Sequence, residues 1–391
     1  MLGLILTLAV QATASMALLA LPMVAPAVGA ALGMSGTFVG YYISAAYIGA
    51  VLGSLLAGSL VPRLGSIRSS QLGLILVGSG LGLSCTAHLA PMLVGALVLG
   101  LGYGPITPAS SHLLAQTSSP RHLSLIFSLK QTGVPLGGML AAALVPPLAM
   151  RTGWQWAIAA VAIACALCAV AAQPLRQRLD GGLQPGHRGS GPGVLAPIRQ
   201  VWAHPPLRIL AICSLLYSAV QVSLTTYTVT FLTAELGMTL VAAGLASSVC
   251  QFAGVAGRIG WGWVADRGLG ALRTLALLGT LSLACCIVST LIPATLSTQA
   301  LLVLLATFGA AAIGWNGVYL AELARRSPAG MAGTVTGGAS AITFLGVVAG
   351  PPLFGLVSEL GGSYRTGFAM LALPLGWCVV RLGLENRQRQ A

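Results

Sequence analysis

The stretch GRIGWGWVADRGLGALR, residues 257–273, sets Arg258, Gly262 and Asp266 at four-residue spacing and follows them with Arg267 and Arg273. Charges this dense stand out, because only 6% of the 391 residues are charged, 56% are hydrophobic and the mean hydropathy is +0.91. A soluble domain carries about a quarter charged residues, so the chain is expected in a membrane and the charges mark where a span leaves it. Working outward, apolar runs lie at about 4–30, 37–61, 69–88, 91–115, 123–149, 153–173, 208–232, 239–264, 272–293, 299–323, 331–358 and 364–383. Each approaches or exceeds the roughly 20 residues that a helical span requires. Twelve spans are therefore expected. Runs of this length exclude the short alternating strands of a barrel, so the predicted fold class is an all-α membrane protein. The first run lacks a basic leader and is too long for a signal core, which predicts a retained helix.

Arginine placement orients the bundle. Alternate connections hold Arg63 and Arg68; Arg121; Arg176, Arg178, Arg188, Arg199 and Arg208; Arg267 and Arg273; and Arg325 and Arg326, while Arg381, Arg387 and Arg389 follow the last span. The opposite connections hold only Arg151 and Arg365, with Glu235 and Glu359. Lys and Arg stay on the cytoplasmic side, which places both termini and the middle loop in the cytoplasm of a multi-pass protein of the cell's inner (plasma) membrane. The net charge of +13 then reflects topology and attraction to anionic lipid, with no nucleic-acid partner.

The one long hydrophilic break, residues 173–206, is rich in Gly, Pro and Arg and reads as a flexible linker. It divides the chain into a six-helix half at 1–174, a linker at 175–207 and a second six-helix half at 208–391. The halves repeat weakly. GSLVPRLGSIR (58–68) aligns with GWVADRGLGALR (262–273) with one inserted residue, setting Gly58, Arg63, Leu64, Gly65 and Arg68 on Gly262, Arg267, Leu269, Gly270 and Arg273. SSPRH (118–122) answers RSPAG (326–330). Two such halves suit a transporter.

On these residues the chain resembles the major facilitator superfamily over essentially its whole length. The family's loop signature stands as Gly262, Asp266, Arg267, Gly270 and Arg273. The first-half copy departs from it, since Pro62 occupies the position of the acid. The resemblance implies that Gly58, Arg63, Gly262, Asp266, Arg267 and Arg273 gate the path, with Asp266 carrying more of the role. An aspartate there can also accept from the N-terminal amides of a neighbouring span and pair with arginine, latching two helices; it can alternatively be a simple topological charge. Gly49 and Gly53, Gly133 and Gly137, and Gly346 and Gly350 allow close helix approach. In the resembled fold spans 2, 5, 8 and 11 form the contact between halves.

Polar residues recur on single helix faces: Thr7, Gln11 and Ser15; Tyr103, Thr107 and Ser111; Tyr217, Gln221, Thr225 and Thr228; Trp315, Asn316 and Tyr319. Stripes like these serve either interhelical bonding or substrate contact. The resembled fold lines its central cavity with the same four spans, which makes Gln11, Tyr103, Tyr217, Gln221, Trp315, Asn316 and Tyr319 candidate substrate residues. Inside the spans stand two cations, Lys130 and Arg258, and no Asp or Glu occurs in the middle of any span. Cations in hydrocarbon are costly and face a wet interior. They are expected to share one small anionic substrate, with Arg258 alternatively pairing with Asp266 or capping helix carbonyls. An arginine eight residues before the loop aspartate is similar to the arrangement in monocarboxylate and oxalate-formate carriers of the family, with cyanate- and nitrate-type carriers near relatives.

The expected function is secondary active transport of small organic or inorganic anions by alternating access, by a monomer and with a proton as a candidate coupling ion. Proton-coupled multidrug or metabolite efflux is the alternative, although cationic drugs call for a buried mid-span carboxylate. No zinc-ligand spacing, nucleotide loop or nucleophile–base pair stands out, so no metal, cofactor or enzymatic activity is expected.

Overall fold

The computed structural model describes residues 2–117, 129–180, 196–293, 296–328 and 332–388. Among these residues the regular elements are all helical, as the need to satisfy every backbone group internally dictates. Among the described residues ten segments are long and apolar enough to cross a membrane. The second and third expected spans coincide with the helices Phe38–Leu64 and Ser66–Ser84. The stretch 118–128, with SSPRH and the start of the fifth expected span, lies outside the described residues, as do 181–195 of the linker and 329–331 of RSPAG.

Compactness divides the chain into two units. The first comprises Met1–Arg188, Thr225–Ala234 and Met238–Ser248; the second comprises Gly189–Leu224, Glu235–Gly237 and Val249–Ala391. The seventh span, Pro205–Leu236, and the eighth, Leu240–Val264, therefore each contribute residues to both.

Glycine sets the packing inside each unit. In the first, a methyl group on Gly49 or Gly53 would overlap the carbonyl of Leu97 or Leu101, and one on Gly137 would overlap that of Ala12. In the second, a methyl on Gly346 would overlap the Leu215 carbonyl, and one on Gly350 would come within 2.7 Å of the Ala219 backbone. All three glycine pairs singled out by spacing are thus used for close approach within a unit, the fifth span on the first and the eleventh on the seventh.

Several spans are interrupted. The first passes from Leu2–Ala20 through a short 3-10 turn, Pro22–Val24, into Ala25–Leu32. The fourth breaks at Gly104 and Pro105, between Leu89–Tyr103 and Ile106–Thr117, because proline removes an amide donor and crowds the preceding turn. The tenth breaks at Trp315, between Thr298–Gly314 and Asn316–Arg326. Broken spans leave carbonyls that need other partners, and both breaks fall among the candidate residues.

Candidate functional site

In the first unit the polar stripes of spans 1 and 4 meet. Gln11 is fully buried; its Nε2 donates to Ser15 Oγ at 3.4 Å and to the Tyr103 hydroxyl at 3.3 Å, and its Oε1 accepts from Thr107 Oγ1 at 3.1 Å. Tyr103 is the last residue before the Gly104–Pro105 break. The glutamine amide is nearly saturated by these bonds. Thr7, one turn earlier, donates to the carbonyl of Leu4 in its own helix. On span 5, Gly133 faces Gln11, whose Cβ lies 3.0 Å from where a methyl on Gly133 would sit. Lys130, one turn before Gly133, is 1% exposed.

In the second unit spans 7 and 10 build a counterpart. Gln221 Oε1 accepts from the Trp315 indole at 2.9 Å and from Asn316 Nδ2 at 3.1 Å. Trp315 stacks obliquely on Tyr217 at 5.7 Å between ring centroids and on Tyr319 at 5.3 Å. The Tyr217 hydroxyl is engaged elsewhere, donating to the Leu275 carbonyl at 2.8 Å, so this residue offers the cluster its ring face. Both bonds to Gln221 enter through its oxygen.

Arg258 lies where the tenth span breaks. Its Nε donates to the Ile313 carbonyl at 3.2 Å, and Trp261, one turn on, donates to the Ala310 carbonyl at 2.9 Å. Two side chains of span 8 therefore hold the carbonyls just ahead of the interruption. This is the carbonyl-capping arrangement that sequence reasoning left open for Arg258.

The two loop copies differ in geometry. In the second unit Val264 leads into a tight turn, Ala265–Leu269, kinked at Gly268, and Gly270 follows at φ +74°. Asp266 is exposed and has no hydrogen bond or ion pair among the described residues. Arg267 stacks over the Trp263 ring at 4.7 Å, and Arg273 is exposed. A methyl added to Gly262 would meet nothing within 4 Å. In the first unit Gly58, Pro62 and Arg63 lie on the helix Phe38–Leu64, Arg63 being exposed, and Gly65 follows at φ +91°. Here the N-terminus of the next helix is occupied by a carboxylate that sequence reasoning leaves in the linker. Asp180 accepts from the amides of Ile67 at 3.1 Å and Arg68 at 3.2 Å.

Also unforeseen is a buried ion network in the second unit. Arg326, with its side chain 3% exposed, bonds Glu322 at 2.7 Å and Glu385 at 2.8 Å. Glu235 pairs with Arg365 at 3.2 Å. These acids are committed to arginines near helix ends.

A family model described as Major Facilitator Superfamily matches residues 4–351. The gentisate transporter of Corynebacterium glutamicum is 27% identical over 128 residues, covering 32% of this chain and 29% of that one. The 4-hydroxybenzoate transporter PcaK of Pseudomonas putida is 30% identical over 142 residues, covering 35% and 31%. The chain thus spans less than a third of the length of either curated relative. The crystal structure of the nucleoside transporter NupG matches with a TM-score of 0.76 at 14% identity over 97% of this chain and 98% of that one, a likeness of fold alone.

Proposed function

The chain belongs to the Major Facilitator Superfamily, and on that premise we propose that this secondary transporter carries small carboxylate anions, aromatic monocarboxylates foremost, by alternating access. The observation that carries the reading is the Gln221 cluster: aromatic faces of Tyr217, Trp315 and Tyr319 beside the amides of Gln221 and Asn316 at a broken span. Ring faces accept a flat aromatic body, and amide donors accept its polar substituents. Half-helix ends near the membrane midplane are where carriers of this kind bind substrate. Lys130, buried in the first unit, and Arg258, half-buried in the second, supply positive charge, which favours an anionic ligand. Gln11 and Tyr103 complete the proposed substrate residues. Gentisate and 4-hydroxybenzoate are the substrates in the names of the two curated relatives, and both are aromatic carboxylates. The arginine asymmetry supports cytoplasmic termini in an inner membrane, and a monomer with proton coupling completes the proposal.

The test is uptake of radiolabelled gentisate and 4-hydroxybenzoate into proteoliposomes, with glucose and the cationic dye ethidium as comparators. Saturable uptake of either acid, competed by the other and lowered about tenfold or more by Gln221→Ala, is expected, since a lost polar contact to a charged group is worth roughly 1.5–3 kcal/mol. Transport of glucose or ethidium with neither acid carried would overturn the anion reading.

A further inference from the structure

We infer that Asp180, at the start of the linker, is the working acid of the first unit's loop, a positioning residue that replaces the aspartate missing at Pro62. The carboxylate sits on the N-terminus of Ser66–Ser84. Both of its oxygens lie 3.1 Å from the Ile67 amide, and Oδ2 also accepts from Arg68 at 3.2 Å. Helix N-terminal amides lack internal partners and carry partial positive charge, so an anion there is held by charge-assisted bonds.

The local sequence is shaped to receive it. Gly65 has φ +91° and ψ 163°, a conformation restricted almost entirely to glycine. A methyl on Gly65 would lie 2.5–2.9 Å from the three carboxyl atoms of Asp180. The element that delivers the acid is also fastened. Gln71 donates to the Ala169 carbonyl at 2.8 Å and to Gln173 Oε1 at 2.9 Å, tying Gln173–Leu179 to the third span, and the Asp180 amide closes that helix on the Arg176 carbonyl at 2.8 Å. Loop and linker start therefore form one piece. The signature loop of the second unit carries its own acid, Asp266, yet among the described residues that acid makes no such contact. In this first unit the latch expected of a loop aspartate is made by a residue 113 positions away.

Only the uptake arm of the test rests on the carboxylate reading. The full-length protein, Asp180→Asn, Asp180→Glu and Gly65→Ala are compared by hydrogen exchange of the peptide containing Ile67 and Arg68, and by trypsin cleavage after Arg176 and Arg178. Loss of a charged acceptor should raise both rates about tenfold in Asp180→Asn and Gly65→Ala, with Asp180→Glu closer to the parent. In proteoliposomes, Asp180→Asn should lower the maximal rate of 4-hydroxybenzoate uptake severalfold at unchanged KM. Unchanged exchange and cleavage would overturn the inference, as would faster exchange with an unchanged maximal rate, which would make Asp180 a helix cap and nothing more. Should the parent protein carry neither gentisate nor 4-hydroxybenzoate, the carboxylate reading fails separately, and the maximal-rate arm is run with whichever comparator, glucose or ethidium, the parent carries.

Discussion

At residues 58–68 of the first unit the acid arrives from the start of the linker, whereas at 262–273 of the second the acid is part of the loop and stays exposed. Both loops pass through a glycine of nearly the same shape, Gly65 at φ +91°, ψ 163° and Gly270 at φ +74°, ψ 157°. The backbone solution is therefore repeated while the side chains are not. The polar clusters show a parallel divergence. Gln11 closes on three hydroxyls inside the first unit, while Gln221 accepts two donors through one oxygen. A duplicated frame fixes helices and turns; it leaves the chemistry at matching positions free to differ.

Substitutions separate frame from chemistry. Gly65→Ala should have the largest effect, about 2–4 kcal/mol, because it forces a residue with Cβ into a glycine-only conformation and also displaces the Asp180 carboxylate. Gly270→Ala imposes a similar backbone strain with nothing within 4 Å of the added methyl, and should cost about 1–3 kcal/mol. Equal losses in the two, read as shifts in thermal unfolding in detergent, would break the comparison. Asp180→Ala removes the cap without the strain and should cost about 1–2 kcal/mol. Arg258→Gln removes the donor at the tenth-span break and should cost about 1 kcal/mol. Asp266→Asn should shift stability least, within about 0.5 kcal/mol for an exposed side chain, while slowing transport if the loop acid gates the path. Normal transport in that variant would reduce Asp266 to a topological charge.

The spans, the weak repeat and the stripes are legible in the sequence because each is a local pattern: twenty apolar residues, a recurring loop, a polar side chain every fourth position. The break at Gly104–Pro105 is marked in the same way, by its proline. The break at Trp315 is not, since no proline stands there and tertiary bonds from Arg258 and Trp261 hold the carbonyls ahead of it. The docking of Asp180 is hidden for a similar reason, joining residues 113 apart in sequence. A further sign of the repeat is written in the chain: paired prolines stand inside both the fifth span, at Pro146 and Pro147, and the eleventh, at Pro351 and Pro352. Stripe membership alone also cannot tell that the Tyr217 hydroxyl is taken by Leu275 while its ring stays with Trp315.

The most direct measurement is isothermal titration of 4-hydroxybenzoate into the purified, detergent-solubilised protein, beside Gln221→Ala and Asp266→Asn. The account predicts saturable binding by the unaltered protein, weakened about tenfold or more in Gln221→Ala by loss of amide contacts to a charged ligand and retained in Asp266→Asn. Binding of equal affinity in Gln221→Ala, or saturable binding of glucose where 4-hydroxybenzoate gives none, would contradict it.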